Sequence, residues 1–131
     1  MSVARRPVLA GLALAMLGGR AMAKGRLVED PIPFGMIGKM KAQPGKRAEL
    51  IAILNSGTGT MPGCRAYLIA EDVKDPDAIW ITEVWDSQDS HVASLALPNV
   101  QQAIALGKPL IADFGDSIAT LPVGGHGLAH T

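Results

Sequence analysis

Apolar and polar positions alternate most clearly between Asp77 and Trp85, and the period changes immediately afterwards. Side chains of an extended segment point to opposite faces in turn. Ile79, Ile81, Glu83 and Trp85 therefore share one face, and Trp80, Thr82 and Val84 the other. Neither face is plainly polar, which predicts a strand covered on both sides. Asp86-Ser-Gln-Asp89 reads as a helix start, with an Asp or Ser cap and an acid in the first turn to accept unpaired amide protons. The junction puts Trp85 at the strand's end and His91 one turn into the helix. An aromatic wall and a titratable imidazole are thus expected to face one cavity.

The rest of the chain supplies partners for this strand. Residues 34–41 predict a first strand, interrupted by Gly35 and Gly38, and Gln43-Pro-Gly-Lys46 a turn. A helix over 46–54 follows, with Leu50, Ile51 and Leu54 as its apolar stripe and glycines after it as a stop. Met61-Pro-Gly63 turns into a second strand over 64–71. Simple alternation places Cys64, Ala66, Leu68 and Ala70 on one face and Arg65, Tyr67, Ile69 and Glu71 on the other. Asp75-Pro-Asp77 is turn chemistry for a hairpin into the Asp77–Trp85 stretch. Beyond the junction, one helical piece spans 87–97 and Pro98 starts another, which Gly107 and Pro109 end. Residues 110–114 read as a short apolar connector and 116–123 as a last strand, with Pro122 marking an edge or an exit.

Strand, helix, strand, strand, helix, strand is the split βαβ order of a ferredoxin-like α+β fold. Its helices cover one face of the sheet only. The apolar residues of the other face need a cover too, and a second copy of the sheet is the simplest one. A homodimer is expected.

The first 23 of the 131 residues set themselves apart. Arg5 and Arg6 precede an apolar run over 7–19, too short to span a bilayer comfortably, and Ala21-Met-Ala23 is a small-x-small cleavage site. Residues 1–23 are expected to be an export signal and the protein periplasmic or secreted; an uncleaved anchor is the alternative. The arginine pair matches the twin-arginine pattern in part. Residues 24–33, with Pro31 and Pro33, form a linker or N-terminal arm; 34–123 form the domain; 124–131 are a glycine-rich tail.

Removing the signal changes the charge. Twelve basic residues balance twelve acidic ones in the whole chain, but Arg5, Arg6 and Arg20 leave with the signal, for a net charge of −3. That argues against nucleic acid and against an anionic membrane surface as partners of the mature domain. Cys64 is the single cysteine, so no internal disulfide is possible, and it is expected to act as a small buried apolar residue. His126 and His130 are four apart, but Gly124, Gly125 and Gly127 argue against the helix that would pair them on a metal. No zinc, phosphate-loop, dinucleotide or nucleophile-elbow motif is present.

Pro62-Gly-Cys-Arg-Ala-Tyr67, then Asp75-Pro-Asp77, Thr82-Glu-Val-Trp-Asp-Ser87, His91 and Leu97-Pro-Asn-Val100 together resemble the antibiotic biosynthesis monooxygenase domain, over about residues 34–123. The resemblance implies a dimeric α+β barrel with a pocket between sheet and helices in each subunit. It also implies a family that includes cofactor-free monooxygenases of quinols and anthrones, haem-degrading enzymes and many members with no known substrate. Haem-degrading relatives carry an asparagine on the first strand; here Gly38 stands nearest that place. Asn99 occupies the position where many relatives have a second helical histidine.

Chemistry then narrows the expectation. An electron-rich quinol, once deprotonated, gives an electron to oxygen without flavin or metal. Such a reaction needs an apolar slot, a base and a dry site. Trp85 is the expected ring wall and His91 the expected base, since imidazole ordinarily titrates near neutrality. Tyr67, Asn99, Arg65 and Glu83 are the candidates for holding the substrate's oxygens. The expected function is a cofactor-independent monooxygenase acting on a small quinol-like aromatic with molecular oxygen. A non-catalytic dimeric ligand-binding protein and a haem-binding or haem-degrading relative are the alternatives. An open slot beside Trp85 and His91 fits catalysis; one filled by Met36, Met40 or Leu95 fits a structural or binding role.

Overall fold

A computed structural model gives the fold of residues 31–127. The expected export signal, most of the arm and His130 lie outside these described residues. Among the described residues four strands and three helices follow one another: β1 Phe34–Ala42, α1 Arg47–Gly57, β2 Cys64–Glu71, β3 Ala78–Trp85, α2 Gln88–Ser94, α3 Pro98–Gly107 and β4 Ile111–Thr120, with a 3-10 turn Lys108–Leu110 before β4. The sheet is antiparallel in the order β2-β3-β1-β4, the ferredoxin-like arrangement. Among the described residues no helix is long and apolar enough to cross a membrane.

The face of β3 that alternation groups together is the buried one. Ile79 and Trp85 are fully buried and Ile81 nearly so. Opposite them on β1 stand Met40 against Ile79, Met36 against Glu83 and Phe34 against Trp85. Two clusters fill the space under the helices. Ala42, Leu50, Ile79 and Ile81 form one, and Met61, Trp85 and Val100 the other. Burying each of these larger side chains contributes roughly 1.5–3 kcal/mol.

Contacts between backbones hold the helices over the sheet. Gly57 ends α1 against α3, where a Cβ would collide with Ala103. Gly63 precedes β2 at φ +86, and a Cβ there would lie 2.6 Å from the Ser90 Cβ on α2. Arg47, on the first turn of α1, donates from Nη1 to the carbonyls of Asp72, Asp75 and Ala78 at 3.0–3.2 Å. Its Nη2 lies 3.1 Å from Glu71. One guanidinium thus gathers the carbonyls of the β2–β3 hairpin loop. On that hairpin Asp72 accepts the Trp80 indole N–H at 2.8 Å, which with the amides of Asp75 and Lys74 pulls its carboxyl down to about 2.

Three local expectations change. Strand β4 begins at Ile111, so the stretch read as a connector is sheet. Its pairing with β1 slips twice, between Gly38 and Met40 and between Lys41 and Ala42. Each slip inserts a residue and reverses the alternation, which hides the strand from a period-two reading. A slip between Cys64 and Ala66 likewise turns Cys64 inward, where it packs against the Met61–Trp85–Val100 cluster instead of sharing the outer face with Ala66. Finally, the helix read over 87–97 ends at Ser94. Leu95, Ala96 and Leu97 close tighter turns onto Val92, Ala93 and Ser94, because Pro98 forces Leu97 to an extended ψ of 139.

Among the described residues nothing packs over the outer face of the sheet, where apolar side chains stand beside Lys39, whose Nζ lies 5.5 Å from the Trp80 ring. Leu68 is 60% exposed and Ile118 56%. By register, half-buried Ile37, Thr82 and Val84 lie on the same face. Arg47 gives a test of how the hairpin is held. Arg47→Ala takes the guanidinium from three partly buried carbonyls, of which those of Asp75 and Ala78 keep a backbone amide donor, and is expected to cost about 1–3 kcal/mol in urea denaturation; an unchanged midpoint would show that the loop holds its shape without the guanidinium.

Candidate functional site

The turn from β3 into α2 takes two residues. The Asp86 amide donates to the Gly63 carbonyl at 2.8 Å, and Ser87 caps the helix by accepting the Ser90 amide at 3.1 Å. This tight junction sets His91 over the end of the strand. The His91 ring centroid lies 5.4 Å from that of Trp85, edge-on at 74°, and 5.2 Å from that of Phe34, tilted at 39°. The indole N–H donates to Glu83 Oε1 at 2.9 Å, and the same oxygen lies 3.7 Å from His91 Nε2. Both side chains are largely shielded, at 18% exposed for His91 and 15% for Glu83.

Trp85, His91 and Glu83 border a cavity of about 270 Å³ between the sheet and the helices. Trp85, His91, Glu83 and Tyr67 form one part of its wall, and aliphatic side chains such as Met40, Leu54 and Ile104 form most of the rest. Met40 and Leu95 line the space without filling it, and Met36 is not on its wall. The mouth has an apolar rim, with Phe114 67% exposed and Leu95 46%.

Burial, and then the charge of Glu83, push the Tyr67 hydroxyl well above its ordinary value of 10. Tyr67 therefore keeps its proton and can donate it to a ligand. Burial also raises the Cys64 thiol, which donates weakly to the Ala66 carbonyl at 3.4 Å. A protonated, packed thiol is a poor nucleophile.

The structure thus brings Trp85, His91, Glu83 and Tyr67 together around one cavity. Asn99 and Arg65 are elsewhere. Asn99 donates to the carbonyls of Gly57 and Thr60 and ties the end of α1 to the start of α3. Arg65 is half-buried at the β2 irregularity, off the cavity wall. Sequence reasoning missed Phe34, Thr58 and Ser94. Phe34 was the readable one of the three, since an antiparallel β1 of the expected length sets it opposite Trp85. Thr58 and Ser94 carried no signal, because each sits just where a helix stops.

Residues 33–106 match the profile of the antibiotic biosynthesis monooxygenase family. A solved structure of a proposed antibiotic biosynthesis monooxygenase from Chloroflexus aurantiacus is 62% identical, with a TM-score of 0.73, covering 74% of this chain and 99% of its own. Another from Deinococcus radiodurans is 30% identical, with a TM-score of 0.59 over 74% and 99% of the two chains. A Mycobacterium tuberculosis protein at 20% identity shares the fold, with a TM-score of 0.61 over 72% and 99%. No curated protein matches the sequence significantly.

Tyr67 is the single tyrosine, so its ionisation can be followed by ultraviolet absorbance. Its raised value stabilises the fold fully below pH 10, and that contribution fades as pH rises through the folded-state value. The folded protein is expected to show no phenolate near pH 10, whereas the urea-unfolded chain ionises there. Coincident curves would place the hydroxyl in solvent.

Proposed function

We propose that this chain, which belongs to the antibiotic biosynthesis monooxygenase family, is an exported, cofactor-independent monooxygenase that oxidises a small quinol-like aromatic with molecular oxygen. The observation that carries the reading is the meeting of a buried indole, an imidazole and a carboxylate at the wall of an otherwise apolar cavity.

Each part has a task. The apolar walls hold a flat ring and keep water from it. His91 takes the hydroxyl proton, and the Glu83 oxygen 3.7 Å away stabilises the imidazolium that forms. Tyr67 donates to the oxygen that gains charge. The electron-rich ring then supplies the electrons that reduce oxygen. One ring C–H bond is replaced by a C–O bond and the two quinol hydroxyls become carbonyls. The O–O bond breaks, one oxygen stays on the ring as a hydroxyl, and the other leaves as water with the two hydrogens the quinol hydroxyls gave up. No outside reductant is needed.

His91→Ala is expected to slow oxygen uptake with a hydroquinone by about 100-fold or more, the usual contribution of a positioned base. Equal rates in wild type and variant would remove His91 from that role. Tight ligand binding without oxygen uptake in the wild type would favour a binding protein of the same fold.

The proposal includes a homodimer built through the outer sheet face, since Leu68 and Ile118 are apolar and more than half exposed there. The mature chain is expected to sediment as a dimer and Leu68→Glu as a monomer; a monomeric wild type would remove this part.

A further inference from the structure

We infer that the cavity selects its ligand by a donated proton, holding an uncharged hydroxyarene through the free oxygen of Glu83 and rejecting the matching ether and the matching carboxylate. The inference names the ligand class of the same cavity and rests on the proposed function only for where the ligand sits.

A count of the polar groups on the wall leads to it. Trp85 has one N–H, and Glu83 Oε1 takes it. The Ser94 hydroxyl donates to the His91 carbonyl at 2.6 Å. The Thr58 hydroxyl donates to the Leu54 carbonyl at 2.7 Å. Three donors that line the cavity are therefore already engaged, and their hydroxyl oxygens can only accept from a ligand. Glu83 Oε2 has no hydrogen-bond partner among the described residues, and an ionised carboxylate is acceptor only. Tyr67 and His91 can act either way. The fixed polarity of the wall is thus acceptor-rich and negative.

A ligand that brings a hydroxyl satisfies Glu83 Oε2 with a charge-assisted bond. An ether of the same shape leaves that oxygen desolvated without a partner. A carboxylate sets like charges together in an apolar enclosure, where screening is weak. Lys108 is the one cation on the wall, and it is exposed. It follows Gly107, which packs against Leu50, whereas Val100 at the other end of α3 packs with Trp85. An anion drawn to Lys108 would therefore sit away from the indole.

Three rings that oxygen does not attack under nitrogen separate the cases: 2-naphthol, 2-methoxynaphthalene and 2-naphthoate. Affinities come from calorimetry, and the position of binding comes from the indole N–H signals of Trp85 and Trp80 in a proton–nitrogen correlation spectrum. Naphthol is expected to bind wild type about tenfold or more tighter than the ether, with the naphthoate weakest and the Trp85 signal moving while that of Trp80 stays. Glu83→Gln keeps an acceptor for the indole but turns an N–H toward the ligand. It is expected to bring naphthol and ether within about threefold and to strengthen naphthoate about tenfold. The wild-type ranking needs no variant, and the Trp85 signal reports whether Glu83→Gln remains folded.

Equal binding of naphthol and ether by wild type would overturn the inference. So would naphthoate binding as tightly as the ether, or an unchanged ranking in folded Glu83→Gln. The experiment involves no turnover, so failure of the oxygen-uptake test leaves it standing, and the reverse also holds.

Discussion

A carboxylate under a sheet needs a donor, and the indole N–H of Trp85 is what lets Glu83 remain there. The two residues are next-but-one neighbours on β3 and so share its inner face, which brings their polar atoms to 2.9 Å without any long-range closure. Leaving such a carboxylate unpaired costs several kcal/mol, and a hydrogen bond to a charged group offsets about 1.5–3 of them. The same contact fixes the plane of the indole, whose edge then receives His91. Indole, carboxylate and imidazole are therefore set by one strand and the first turn of the helix after it.

Around that pair the fold is a set of close approaches. Gly63 lets the start of β2 pass against Ser90, so that α2 can leave β3 within two residues. Gly57 and Ala103 bring α1 and α3 together, and Asn99 secures the join. The helices hold their spacing by these backbone-level contacts and leave the volume between them and the sheet to the cavity. Among the described residues no helix covers the outer face of the sheet, and Leu68 and Ile118 stand exposed on it.

The sequence revealed most where one rule acted alone. The inner face of β3, a cap within Asp86-Ser-Gln-Asp89, the helix restart at Pro98 and the meeting of Trp85 with His91 all follow from alternation and cap chemistry, and all are present, with Ser87 rather than Asp86 as the cap. Alternation failed where an extra residue enters a strand. Simple alternation puts Cys64 on the wrong face and makes the first half of β4 a connector, because a bulge carries no composition of its own. Among the candidate ligand contacts, Tyr67 and Glu83 reached the cavity because they alternate with buried neighbours. Asn99 and Arg65 did not: one is drawn to the carbonyls of Gly57 and Thr60 at a helix end, and the other sits where the register slips. Thr58 and Ser94 depend on how two helices stop and could be found only in three dimensions.

Whether the indole, the carboxylate and the imidazole serve one bound ring can be decided by a crystal structure of the protein grown with 2-naphthol. The expected result is a ring lying in the cavity beside Trp85, its oxygen within hydrogen-bond distance of Glu83 or His91. A cavity closed by inward movement of Leu95 and Phe114, or a naphthol bound away from all three residues, would contradict it.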